Sequence, residues 1–208
     1  IIIELLLQLF FYQHALYLII LSLSSLDICL IWLIIKIYII YNILRYYFNI
    51  KLIRSFYMLS VDFSELESFI GKDIGKSDWI VIDQNRIQQF ADATSDHQWI
   101  HLDTERASKE LPTKSTIAHG FLTLSLIVPL SSMIWTITGT KMTINYGLNK
   151  VRFINMVPVD SKVRLSLKVQ EVNKLDNGGT QLISEATLEI EGHDKPAYVA
   201  ESIMVAFA

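Results

Sequence analysis

The stretch "TIAHGFLTLSLIVPLSSMIWTI", Thr116 to Ile137, is the longest apolar run beyond residue 57 of this 208-residue chain. Its length predicts one long buried helix, roughly His119 to Ile134. Pro129 falls inside it and predicts a kink or an early end, because proline lacks the N–H that a helix interior uses. From Thr143 onward the apolar period changes to two. In "VRLSLKVQEV", Val163, Leu165, Leu167 and Val169 share one face, and Arg164, Ser166 and Lys168 share the other. "TQLISEATLEI" repeats the alternation, "LDNGG" between the two is a hairpin signal, and "AYVAESIMVAFA" reads as a final strand. A buried helix followed by about four antiparallel strands implies an α+β domain, its sheet wrapped around that helix. The open edges of such a sheet favour pairing with a second copy.

Upstream of the run, Ser64 and Glu67 have the spacing of a capping box, opening a short helix in "ELESFIG" that stops at Gly71. "SDWIVID" is rich in β-formers and predicts a strand over Asp78 to Ile82. Asp83 then caps a helix whose apolar positions Ile87, Phe90 and Ala91 follow helical spacing and which ends near Ser95. A second short helix follows, capped by Asp103 or Thr104 and stopped by Pro112.

Residues 1–57 have another texture. They contain no Gly, Pro, Val, Thr or Met, and Lys36, Arg45, Lys51 and Arg54 outnumber Glu4 and Asp27. Ala15 to Tyr41 is long enough for a bilayer crossing, which takes about 20 residues, but Asp27 near its middle would be costly there. No secretory signal pattern is evident. The chain begins with Ile, its first Met is Met58, and residues with G-first codons within 1–57 are confined to Glu4, Ala15 and Asp27. That pattern is expected of AT-rich upstream DNA translated in frame, with a membrane anchor as the alternative. The expected division is therefore 1–57 and a functional body at 58–208.

The body carries a net negative charge, which gives no electrostatic basis for nucleic-acid binding. Cys29, the one cysteine, lies outside it. A cysteine-free body fits a reducing compartment, and a cytoplasmic location is expected.

Chemistry concentrates in "ADATSDHQWIHLD", where Asp96, His97, His101 and Asp103 fall within eight positions. His97 and His101 have the four-residue spacing of metal ligands on a helix, and His119 offers a third. Against a metal, Gln98 stands where the zinc-protease pattern has Glu, and Asp103 suits the cap of the next helix better. An Asp and a His at a helix end are also common as mere caps or surface residues. Between Asp96 and His101, however, Trp99 and Ile100 supply apolar walls. A carboxylate and an imidazole converging in such a pocket can hold a water and move its protons. Gly120, at the start of the long helix, lets a carbonyl oxygen approach backbone N–H groups at the positive helix end. It can equally serve only close helix packing.

Taken together, "FADATSDHQWIHLDTERA" and "TIAHGFLTLSL" closely resemble the MaoC-like dehydratase family, in its nodulation-protein-N-like branch of (R)-specific enoyl-CoA hydratases. "INYGLNKVRFINMVPVDSKVR" resembles the strand region that follows, and the likeness spans Leu66 to Phe207. The resemblance implies a hot-dog fold, an antiparallel sheet around one long central helix, paired into a homodimer. It implies a catalytic dyad at Asp96 and His101 and an oxyanion N–H at Gly120. Where the hydratase motif usually has Asn-Pro, this chain has Gln98 and Trp99, and Trp99 is expected to shape the acyl pocket. Gln98, Trp99, His119 and Phe121 are the expected substrate contacts, and His97 is a bystander.

The implied reaction is syn hydration of a trans-2-enoyl thioester, or the reverse dehydration, without metal or other cofactor, since CoA belongs to the substrate. The substrate would be carried on CoA or an acyl-carrier protein. Nucleic acid is not an expected partner, and a membrane is one only if residues 1–57 are real. The competing functions are an acyl-CoA thioesterase of the same fold and a non-catalytic acyl-thioester-binding or signalling module.

Overall fold

The computed structural model describes residues 35–43 and 58–208. The chain divides into two units, Ile1–Tyr57 and Met58–Ala208. In the first, 35–43 form a helix, α1. No helix among the described residues is long and apolar enough to cross a membrane. The two readings of 1–57 rest on residues that otherwise lie outside the described ones.

The second unit opens with β1 (Leu59–Asp62), a 3-10 helix (Phe63–Phe69), β2 (Asp73–Lys76) and β3 (Ile80–Ile82). Three helices follow: α2 (Gln84–Thr94), α3 (Trp99–Leu102) and α4 (Thr104–Glu110). The apolar run then forms α5 (Gly120–Ser125) and α6 (Ile127–Ile134). Next come β4 (Trp135–Thr138) and the long strands β5 (Met142–Phe153), β6 (Ser161–Lys174), β7 (Gly179–Ile190) and β8 (Tyr198–Phe207).

The main sheet is antiparallel, ordered β2-β6-β7-β8-β5, with β3 also on β6; β1 and β4 pair in parallel as a separate ribbon. The alternation read from sequence is the alternation of burial. Val163, Leu165, Leu167 and Val169 of β6 face inward with Leu182, Ala186, Leu188 and Ile190 of β7. They enclose the helical run, whose Leu130 is fully buried in the same core. This is the sheet-around-helix arrangement predicted from the texture of the chain.

Three local readings change. The central helix runs as two consecutive pieces broken at Leu126, whose N–H bonds Thr123 O in a tighter turn. Pro129 explains the break: its ring crowds the carbonyl four residues back, that of Ser125, and it cannot donate to it. The cap of the first short helix is Asp62, not Ser64. The Asp62 carboxylate accepts from Ser64 N–H at 3.0 Å, and the helix is 3-10. The strand predicted over Asp78 to Ile82 is confined to Ile80–Ile82, because Ser77 turns its hydroxyl to Leu165 N–H, 2.9 Å away, and ends the regular pairing upstream. β1, β2 and α3 carry no periodic signal of their own and go unread in the sequence.

Other caps stand as predicted. Asp83 accepts from Arg86 N–H at 2.8 Å, Asp103 accepts from Arg106 N–H at 2.9 Å, and α2 ends at Ser95.

Leu130 of α6 is fully buried in the core, so Leu130→Ala leaves a cavity there. Chemical denaturation should show a loss of about 2–5 kcal/mol; a loss below about 1 kcal/mol would mean that the helix is not packed as described.

Candidate active site

The site is assembled where α2 ends. Ser95 adopts the left-handed conformation, φ 60°, a geometry usually left to glycine at this position. It turns the chain out of the helix, so that Asp96 begins a short extended link to α3. His101 lies on α3, a single helical turn, and the segment Thr116–Gly120 crosses beside it. These connections bring Asp96, His101 and His119 together, their ligand-type atoms all within 4.8 Å of one another.

His101 is buried, and its Nδ1–H donates to the Ile117 carbonyl at 2.7 Å. A carbonyl can only accept, so the proton resides on Nδ1 and Nε2 keeps its lone pair. Burial pushes the imidazole pKa below its usual range, the His119 ring adds to that, and the Ile117 hydrogen bond and the Asp96 carboxylate oppose it. The net result is a neutral imidazole at pH 7 with a basic nitrogen available. Asp96 is exposed.

His119 is buried and stacks on His101, with ring centroids 3.7 Å apart and planes at 24°. Phe90 covers its other surroundings at 5.0 Å. His119 Nε2–H donates to the backbone carbonyl of Asp96 at 3.0 Å, while its Nδ1 is buried without a hydrogen-bond partner. The ring therefore ties the start of the long apolar run to the residue that carries the carboxylate.

Gly120 begins α5, and its N–H, as the first of a helix, has no intrahelical acceptor. A Cβ built on Gly120 would meet the Phe153 ring at 3.1 Å, so the absence of a side chain has a local reason. Phe121 is 72% exposed and stands edge-on to Phe153 at 6.2 Å. Gln98 is exposed at the start of α3. Trp99, half-buried behind it, carries the Arg106 guanidinium over its ring at 4.0 Å.

His97 is engaged elsewhere, pairing with Asp92 at 2.9 Å on the exposed side of α2. The pair that catches the eye in the sequence is thus split between two environments. The cluster Asp96, His101 and His119 has the residue types of a metal site, but the stacked rings argue against it. Two nearly parallel imidazoles at this spacing have no common in-plane point at metal-bond distance, so both could not ligate one ion without unstacking.

Sequence reasoning missed Gln84, Thr116, the Ile117 carbonyl, Phe90 and Phe153. None belongs to a catalytic residue pattern.

Comparison with known proteins follows the same residues. The model of the MaoC like domain matches residues 65–189. A 3-hydroxyacyl-thioester dehydratase Z of Mycobacterium tuberculosis is 50% identical over 141 residues, 68% of this chain and 93% of that protein. Nodulation protein N of Rhizobium leguminosarum bv. viciae is 42% identical over 151 residues, 71% of this chain and 92% of the relative. Among solved structures, a monoamine oxidase regulatory protein from Archaeoglobus fulgius has a TM-score of 0.57 at 20% identity, covering 67% of this chain and 91% of its own. An R-hydratase from Pseudomonas aeruginosa has a TM-score of 0.52 at 24% identity, covering 66% and 81%. At those identities the solved structures speak to the fold, which is the hot-dog fold.

The His101 environment has a pH signature. Its imidazole should titrate below 6.5 in the folded protein. Above that pH the group is neutral in folded and unfolded chains alike and its contribution to stability is complete. As pH falls through the unfolded value, the unfolded chain takes the proton first and stability declines. NMR titration of the imidazole checks this, and a value above 6.5 would contradict the buried, neutral assignment.

Proposed function

We propose, on the premise that this chain belongs to the MaoC-like domain family, that it is a hydro-lyase acting on acyl thioesters. Its reaction is the hydration of trans-2-enoyl thioesters to (R)-3-hydroxyacyl thioesters, or the reverse dehydration. The observation that carries this reading is the neutral His101 with Nδ1–H on the Ile117 carbonyl and its other ring nitrogen left as a base, the imidazole lying with a ring nitrogen within 4.8 Å of an Asp96 carboxylate oxygen. The name of the M. tuberculosis relative, half of whose aligned residues are shared, supports the substrate class.

In the proposed mechanism a water lies between Asp96 and His101 Nε2. His101 takes one proton, Asp96 accepts a hydrogen bond from the other, and the oxygen forms a bond to C3. The π electrons move through C2 to the thioester oxygen, which the Gly120 N–H stabilises as an enolate-like oxyanion. A proton then returns to C2 on the same face. Every step uses groups of this chain and the substrate, so the mechanism calls on no metal or redox cofactor. Gln98, Trp99 and Phe121 are proposed to line the acyl and pantetheine path, and the free Nδ1 of His119 to face the substrate side. The carrier is CoA or an acyl-carrier protein, in a cytoplasmic setting.

A second copy is the proposed partner. β5 pairs with β8 on one side and forms an edge of the main sheet on the other. Along it Met142, Ile144, Tyr146, Leu148 and Phe153 are exposed, an unusual apolar display for an edge strand. Light scattering should give a homodimer for the wild type and a monomer for Tyr146→Asp. A monomeric wild type would contradict this assembly.

The chemistry is tested with crotonyl-CoA, whose enoyl absorbance disappears on hydration. Asp96→Asn and His101→Gln should each lower kcat by about 10²-fold or more, as removal of a positioned acid or base does. Wild-type rates in both purified variants would overturn the dyad. Thiol release without loss of the enoyl absorbance would mark a thioesterase instead, and binding without turnover an acyl-binding module.

A further inference from the structure

Gln84 is the first residue of α2, and its carboxamide is held at both ends. Nε2–H donates to the backbone carbonyl of His101 at 2.8 Å, and Oε1 accepts from the Thr116 hydroxyl at 2.6 Å. The amide orientation follows from chemistry, since the His101 carbonyl can only accept. Thr116 is buried and adjoins Ile117, the residue whose carbonyl takes the His101 Nδ1–H. Ile117 N–H in turn donates to Ile100 O at 3.1 Å. The bonds close a loop: from Gln84 to the His101 backbone, through the imidazole to Ile117, and back through Thr116.

The two sides of that loop differ in how firmly they are held. The Thr116 side is strapped to the next segment, with Val159 N–H on Thr116 O and Ala118 N–H on Val157 O, both at 2.8 Å. The His101 side is α3, a single turn, and so short a helix is not self-supporting. Its position has to come from outside. Gln84 is suited to supply it, because Asp83 caps α2 through both its carboxylate, on Arg86 N–H, and its carbonyl, on Ile87 N–H.

We propose that Gln84 is a positioning residue for the reaction. It sets the separation between the α3 turn and the Thr116–Ile117 segment, and so fixes the Nδ1–H tautomer of His101 and the direction in which Nε2 points. Gln84 does not touch the reacting atoms. Its assignment rests on the hydration reading above for its effect on rate, but not for its effect on the imidazole.

The test uses the full chain with Gln84→Glu, Gln84→Ala and Thr116→Val. The glutamate keeps an acceptor for Thr116 but loses the donor to His101; the valine removes the other end. Kinetics with crotonyl-CoA should show kcat reduced about tenfold or more with KM within about twofold, the pattern of lost alignment without lost binding. Imidazole ¹⁵N spectra should show His101 as the Nδ1–H tautomer in the wild type and a mixture of tautomers in the variants. The mixture should persist in samples shown by circular dichroism to be folded.

Wild-type kcat in Gln84→Glu and Gln84→Ala, or an unchanged His101 spectrum in the folded variants, would overturn the proposal. If the wild type does not hydrate crotonyl-CoA, the reaction assignment fails, and the spectra alone decide whether Gln84 holds the imidazole.

Discussion

The hydrogen bond from His101 Nδ1 to the Ile117 carbonyl, 2.7 Å long and buried, is the constraint on which the site depends. It decides which imidazole nitrogen carries the proton, and therefore that the other is a base. A histidine on a lone helical turn with no such bond would sample both tautomers and several directions. Here one tautomer is selected by a backbone group that cannot move without disturbing the pairing of Thr116 and Ala118 with Val159 and Val157. The precision of the site is thus borrowed from the backbone rather than built by the Asp96 and His101 side chains themselves.

The fold supplies that backbone. The sheet encloses the helical run, and Leu130 anchors the run in the core. The segment that opens the run, Thr116 to His119, is thereby held at the margin of the core, where the Ile117 carbonyl and the His119 ring face His101. Stacking of His119 on His101 does two things at once. It excludes water from one face of the base, and through its bond to the Asp96 carbonyl it holds the carboxylate-bearing link in place. The Asp96 side chain itself is left exposed, as its proposed role of holding a water requires.

Much of this was legible in the sequence, for identifiable reasons. Strands β6 and β7 are buried on one face only, so Val163, Leu165, Leu167 and Val169 announce the pairing. Asp83 and Asp103 are local caps whose partners lie three residues on. The Asp96 and His101 spacing was visible because both residues sit at the ends of one short link. What was not legible depends on distant partners. Gln84 acts on residues 17 and 32 positions away, and no local pattern marks such a side chain. β1 and β4 form a parallel ribbon between segments far apart in the chain, one of them hidden at the end of the apolar run. The break at Leu126 was signalled by Pro129, but the position of the break depends on the Ser125 carbonyl rather than on the proline itself. The metal reading of His97 and His101 failed for a related reason: four-residue spacing implies a shared face only on one continuous helix. Here His97 precedes α3, in the extended link, and bonds back to α2.

The most direct measurement is chiral analysis of the product formed from crotonyl-CoA and water by the wild-type protein, with the reaction followed by enoyl absorbance. An acid–base site built on Asp96, His101 and Gly120 in this fold is expected to give (R)-3-hydroxybutyryl-CoA with the thioester intact. Recovery of unchanged crotonyl-CoA, of the (S) product, or of free CoA would contradict it.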